Sequence, residues 1–149
     1  MTFDDRQFAS DPAFLPATTH VYLVRSAESL DEAASSTDSA VRFANAHVAA
    51  LRAAAAWLAA RSKPAAGKRR SRNAWVLLAA TSEEMSGWAN YFAAGAAKRA
   101  AAEAGATAAV SRAEADTLIE AADRFLAVVE ESLGVTVHAP VVGGIRNAG

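Results

Sequence analysis

Residues 38–61 read DSAVRFANAHVAALRAAAAWLAAR, and they decide the fold. Val41, Ala44, Val48, Leu51, Ala55 and Leu58 recur at spacings of three and four, which puts them on one stripe of an α-helix. Alanine loses no side-chain entropy in a helix, so the Ala-rich intervals reinforce the period. Asp38 has the residue type of an N-cap. Pro64 and Gly67 lie just beyond Arg61, where a helix has to stop. The stretch predicts a helix from Asp38 to Arg61 whose stripe faces a core.

Three further helices follow on either side. Leu23, Ala27, Leu30 and Ala34 predict one from about Thr18 to Ser35, ended by the backbone-competing Ser35, Ser36 and Thr37. After Arg61 comes a polar, basic connection, SKPAAGKRRSRN, over residues 62–73, and then an apolar turn from Trp75 to Leu78 expected to dock on the bundle. Thr81 and Glu84 have capping-box spacing and predict a helix to about Ala104, with Met85, Trp88 and Phe92 on one face and Gly105 as its stop. Ser111 and Glu114 repeat that spacing. The last helix then runs to Leu133 with Ala115, Leu118, Ala122, Phe125 and Val129 as its seam, Ile119 and Leu126 beside it, and Gly134 as its end. Four amphipathic stripes on short connections predict an all-α chain, an antiparallel four-helix bundle over residues 17–134. Residues 1–16, with Pro12 and Pro16, read as a loose, flexible arm. Residues 135–149 read as an irregular tail with a strand-like stretch at Val135 to His138.

The whole chain is consistent with one such domain. It has 149 residues, of which 52% are hydrophobic and 21% charged. Its net charge of −1 supplies no global field toward nucleic acid or membrane, so any such attraction has to be local. Without cysteine, disulfides, thiolate nucleophiles and thiolate metal sites are excluded. Asp4, Asp5 and Asp11 stand at the start with no apolar signal-peptide core after them, and no run approaches the ~20 apolar residues of a membrane span. The expectation is a cytoplasmic protein without a membrane partner.

The densest candidate site is basic. Lys63, Lys68, Arg69, Arg70 and Arg72 place five of the fifteen Lys and Arg residues in ten positions. A cluster of this kind neutralises several phosphates and releases their counterions, with Ser71 and Asn73 as further donors. The plainer alternative is a solvated connection near a helix C-terminus, where cations are favoured. Arg42 and His47 form a second candidate, since an arginine can stabilise a phosphorane while a histidine moves protons. Five helical residues leave their side chains about 140° apart, and a packing histidine is the simpler outcome. Among Trp57, Trp75 and Trp88, Trp75 is the one placed beside the basic run as a stacking or anchoring candidate. The acids Glu114, Asp116, Glu120, Asp123, Glu130 and Glu131 read as a solvated helix face. They include no Glu-x-x-His pair, and His20, His47 and His138 lack zinc spacing, so neither metal nor cofactor is expected. There is no Gly-rich phosphate loop and no nucleophile elbow.

The segments RFANAHVAALRAAAAWLAAR, AWVLL, WANYFAAGAAKRAAAEAG and VSRAEADTLIEAADRFLAVVE, in that order, resemble a small actinobacterial branch of the HEPN (higher eukaryotes and prokaryotes nucleotide-binding) domains. The resemblance spans about Thr18 to Gly134. It implies an antiparallel helical bundle, commonly a homodimer, in a family of ribonucleases, toxins, RNA-processing factors and inactive binding partners. Active members carry an arginine, four to six residues and a histidine near the last helices. Here that region reads Lys98-Arg99-Ala100-Ala101-Ala102-Glu103, with no histidine before His138. Arg42 and His47 match the spacing on what resembles the second helix instead. The expectation is a non-catalytic module that binds RNA, DNA or a protein partner, in RNA metabolism, toxin–antitoxin or DNA-repair settings. The alternative is a metal-independent ribonuclease using Arg42 and His47 across a dimer.

Overall fold

The computed structural model describes residues 14–61, 73–142 and 145–146. Pro16 occupies the N-cap of the first helix, α1 (Ala17–Ser35). Asp38 opens the second, α2 (Ser39–Arg61), its carboxylate accepting from the N–H groups of Ala40 and Val41 at 2.8 and 3.3 Å. Asn73 caps the short α3 (Ala74–Ala79) by accepting from Trp75 N. Ser82 caps α4 (Glu83–Ala94), and α5 (Ala96–Glu103) follows after Gly95. Gly105, at φ 90°, turns the chain into a single 3-10 turn at Thr107–Ala109. The capping box of Ser111 and Glu114 then starts α6 (Arg112–Leu133), and Gly134 ends it in the left-handed region at φ 75°. Two-residue strands, β1 (Val141–Val142) and β2 (Ile145–Arg146), pair antiparallel.

The described residues form an all-α helical bundle apart from that small ladder. The C-terminus of α1 and the N-termini of α2 and α6 meet at one end, where Arg42 binds both α1 carbonyls and Asp116. Trp57 near the end of α2 meets Thr81 at the start of α4, at the opposite end. Consecutive long helices therefore run antiparallel. α2 is the centre, lying along both α1 and α6.

The sequence seam on α2 was placed on the wrong face. Val41 is 45% exposed, and Ala44, Val48, Leu51, Ala55 and Leu58 are half-buried. The buried positions are Phe43, Ala46, Ala49, Ala50, Ala53, Ala54, Ala56 and Trp57, together with Arg42 and His47. The reason is steric. A helix flanked on two sides buries the residues that let its neighbours come close, and alanine does so where leucine cannot. The α6 seam is buried as expected, with Phe125, Leu126, Ile119 and Val129 fully enclosed.

Two further expectations are corrected. The helix expected from Thr81 to Ala104 is interrupted at Gly95. His47 Nε2 lies 2.8 Å from the Phe92 carbonyl, which also accepts from Gly95 N at 3.0 Å, so a side chain has entered the helical ladder there. The strand-like stretch at Val135–His138 is not a strand; the ladder begins at Val141, because His138 is drawn onto α6.

Candidate functional site

Arg42 sits in the first turn of α2 with 1% of its surface exposed. Its Nη1 donates to the carbonyls of Ala33, Ala34 and Ser36 at 3.1, 3.0 and 2.9 Å. These are carbonyls that the end of α1 leaves without helical partners, and a cation there opposes the helix dipole. Nη2 donates to Asp116 Oδ1 at 2.7 Å, tying α6 to the same corner. Burial alone would raise the Asp116 carboxyl, but Arg42 and Arg112 outweigh it and hold it below the usual range. The guanidinium joins three helices.

His47 is also 1% exposed. Its ring lies edge-on to Trp75, with centroids 5.8 Å apart, and its Nε2–H donates to Phe92 O. Burial is the main cause lowering its pKa, only partly offset by that hydrogen bond. The imidazole is thus neutral at pH 7, with Nδ1 buried and, among the described residues, without a hydrogen-bond partner. Arg42 serves the end of α1, and His47 the kink between α4 and α5.

Trp75 lies inside the bundle, not on a surface beside the basic run. It is 4% exposed and stacks on Phe92 at 5.4 Å between centroids, so α3 uses it as an anchor in the core. Asn73, read as a phosphate donor, caps the same helix. Lys63, Lys68, Arg69, Arg70 and Arg72 lie outside the described residues. The segment that carries them leaves from Arg61, whose guanidinium lies 3.8 Å over the Trp57 ring, and rejoins at Asn73.

The acids divide into two kinds. Glu114 is exposed; hydrogen bonds from Lys98, then from Ser111, lower its pKa to about 2. Asp123 and Glu130, by contrast, are buried, which corrects the reading of a wholly solvated face. Both bind His138, which sequence spacing had set aside. The periodicity of α6 held a signal for this, because positions 123 and 130 share the face of its buried seam. Among the described residues no cluster of His, Cys, Asp and Glu is arranged to hold a metal.

α4 approaches α6 through aromatic side chains, with Trp88 and Phe92 both packed on Phe125 at 5.3 and 5.2 Å between centroids. An open groove of about 460 Å³ runs along this junction, lined by Glu84, Gly87, Trp88, Tyr91, Thr117 and Arg124.

An all-α bundle centred on a buried α2, with its arginine and histidine inside, is the class of protein these features define. A family model described as SAV_6107-like HEPN matches residues 33–130, from the end of α1 to the last turn of α6. The chain belongs to the HEPN family. Neither curated proteins nor solved structures give a significant match. Among the described residues no helix is long and apolar enough to cross a membrane.

Proposed function

We propose that this HEPN protein is a non-catalytic binding module that contacts nucleic-acid phosphates through Lys63, Lys68, Arg69, Arg70 and Arg72. The observation carrying this reading is the fate of the Arg–x4–His spacing. Both side chains are 1% exposed, and each is engaged with backbone carbonyls. A general base has to reach the proton it takes, and a phosphorane-stabilising arginine has to reach the phosphate. Buried separately, the two serve the fold. The basic segment supplies the remaining concentration of positive charge on a chain whose net charge is −1.

Binding of this kind is weak, tolerant of sequence and steeply salt-dependent. The test is a titration of labelled single- and double-stranded RNA and DNA at two salt concentrations. Replacing Lys68, Arg69, Arg70 and Arg72 by Ser should flatten the salt slope by about three to four counterions. Absence of binding, or a slope unchanged in the variant, refutes this interface. The reading includes a homodimer, the commonest symmetric assembly. Sedimentation at tens of micromolar that shows monomer alone removes that part.

A further inference from the structure

Gly134 and Val135 close α6 with a Schellman turn, Val135 N donating to Glu130 O at 3.0 Å and Gly134 N to Glu131 O at 3.1 Å. The turn sends the chain back along α6. Asp123 and Glu130 are seven residues apart, two turns on one helix face, and both are buried at 9% and 5% exposure. His138 bridges them. Its Nδ1 lies 2.6 Å from Glu130 Oε1 and its Nε2 2.5 Å from Asp123 Oδ1. The same carboxylates also accept backbone N–H groups, Glu130 from His138 at 3.1 Å and Asp123 from Val141 at 3.2 Å. Beyond this bridge Val141 is buried at 3% exposure, and the paired strands β1 and β2 pack on α1, with β1 also on α6.

A neutral imidazole has one N–H and one lone pair. Facing two carboxylates, it would direct that lone pair at an oxygen. Both bonds are satisfied together only when the ring carries its second proton. The bridge is therefore a charge lock, and it supplies the two side-chain hydrogen bonds of His138 to α6. We propose that the segment Val135–Val142 is a strap, locked onto the α1–α6 face by the His138 imidazolium, and that it opens as a unit when that charge is lost, uncovering the Asp123–Glu130 pair.

The charged groups facing His138 are Asp123 and Glu130 on α6; among the described residues, α1 adds no ion pair to it. Burial pushes the imidazole pKa down, but the hydrogen bonds and charges of the two carboxylates outweigh that and raise it to about 9. A raised pKa sets the sign. The lock is complete below the unfolded value near 6.5 and is lost as pH rises through about 9.

The test is amide hydrogen exchange on the full chain at pH 7 and pH 10, with each rate divided by its intrinsic rate at that pH. Protection of the His138 and Val141 amides should fall about tenfold or more, while Ala50 and Ala53 in α2 keep theirs. In His138→Gln the strap amides should already be poorly protected at pH 7 and should lack the pH response. The wild-type comparison stands by itself if that variant does not fold. Strap and α2 amides that keep equal protection across this range overturn the proposal, as does a folded His138→Gln protein with wild-type strap protection at pH 7.

Discussion

The α1–α2–α6 layer and the α3–α4 buttress solve the same burial problem in opposite ways. In the first, backbones come close over alanine, and small buried polar ties fasten the helices. Ser26 Oγ donates to Ala49 O at 2.7 Å, Arg52 Nη1 to Ser29 Oγ at 2.7 Å, and Arg42 closes the corner. In the second, α4 stays apart from α6 and large rings fill the gap, with Trp75 and Trp88 stacked on Phe92 and Phe125 tilted against Trp88 and Phe92. Alanine gives closeness but little shape, so the layer depends on hydrogen bonds for its register. Aromatic rings give area and shape, and the buttress needs few such ties. The difference also explains the surface: a layer packed on alanine closes, whereas one propped on rings leaves the groove beside Tyr91 and Gly87.

The largest expected effect would break the first half of this comparison. Arg42→Ala leaves three carbonyls without their donor and Asp116 with Arg112 alone, and should cost about 3 kcal/mol in urea denaturation. Arg42→Lys should recover only part, because an ammonium cannot span both sets of acceptors. A cost below about 1 kcal/mol for the alanine variant would mean that the polar ties do not fasten the layer. Next comes closeness itself. Ala53→Leu inserts three carbons at a position with no exposure and should cost about 1–3 kcal/mol. Leu51→Ala, on the half-buried stripe, should cost less, about 1 kcal/mol. The reverse order would restore the seam expected from the sequence. The smallest effect lies at the exposed start of α6. In Lys98→Ala, the Glu114 pKa should rise from about 2 toward its ordinary 4.5, followed by NMR titration. A depressed carboxylate stabilises above its unfolded value and loses that contribution as pH falls through about 2; the pair is exposed and screened by solvent, so losing it should barely change folding at neutral pH.

Most helix termini were legible because caps are local; the exception is the box expected at Thr81 and Glu84, where Thr81 instead bonds Leu78 O and Trp57 and Ser82 caps through Met85 N. Asp38, the Ser111–Glu114 box and Gly134 each act within a few residues of themselves, and each is where the sequence implied. The α6 seam was legible because large apolar residues carry it. On α2 the same reasoning failed, since the largest aliphatic side chains mark the half-buried stripe while alanine fills the contact. The kink at Gly95 was hidden because its cause, His47, lies 45 residues away from Phe92 along the chain. Arg42, His47 and Trp75 were identified as notable residues, and their burial follows from helix contacts that spacing alone does not encode. The Asp123–His138–Glu130 bridge was missed because the acids were read as a helix face and the histidine as part of a tail. A chain reversal brings them together.

The most direct test of the central claim, that Arg42 and His47 serve the fold and not RNA cleavage, is a cleavage assay with labelled RNA comparing the wild type with His47→Gln. Glutamine keeps an N–H for the Phe92 carbonyl but cannot act as an acid–base group near neutral pH. RNA should stay intact with both proteins. Cleavage by the wild type that disappears in a His47→Gln protein of unchanged circular dichroism would contradict that claim.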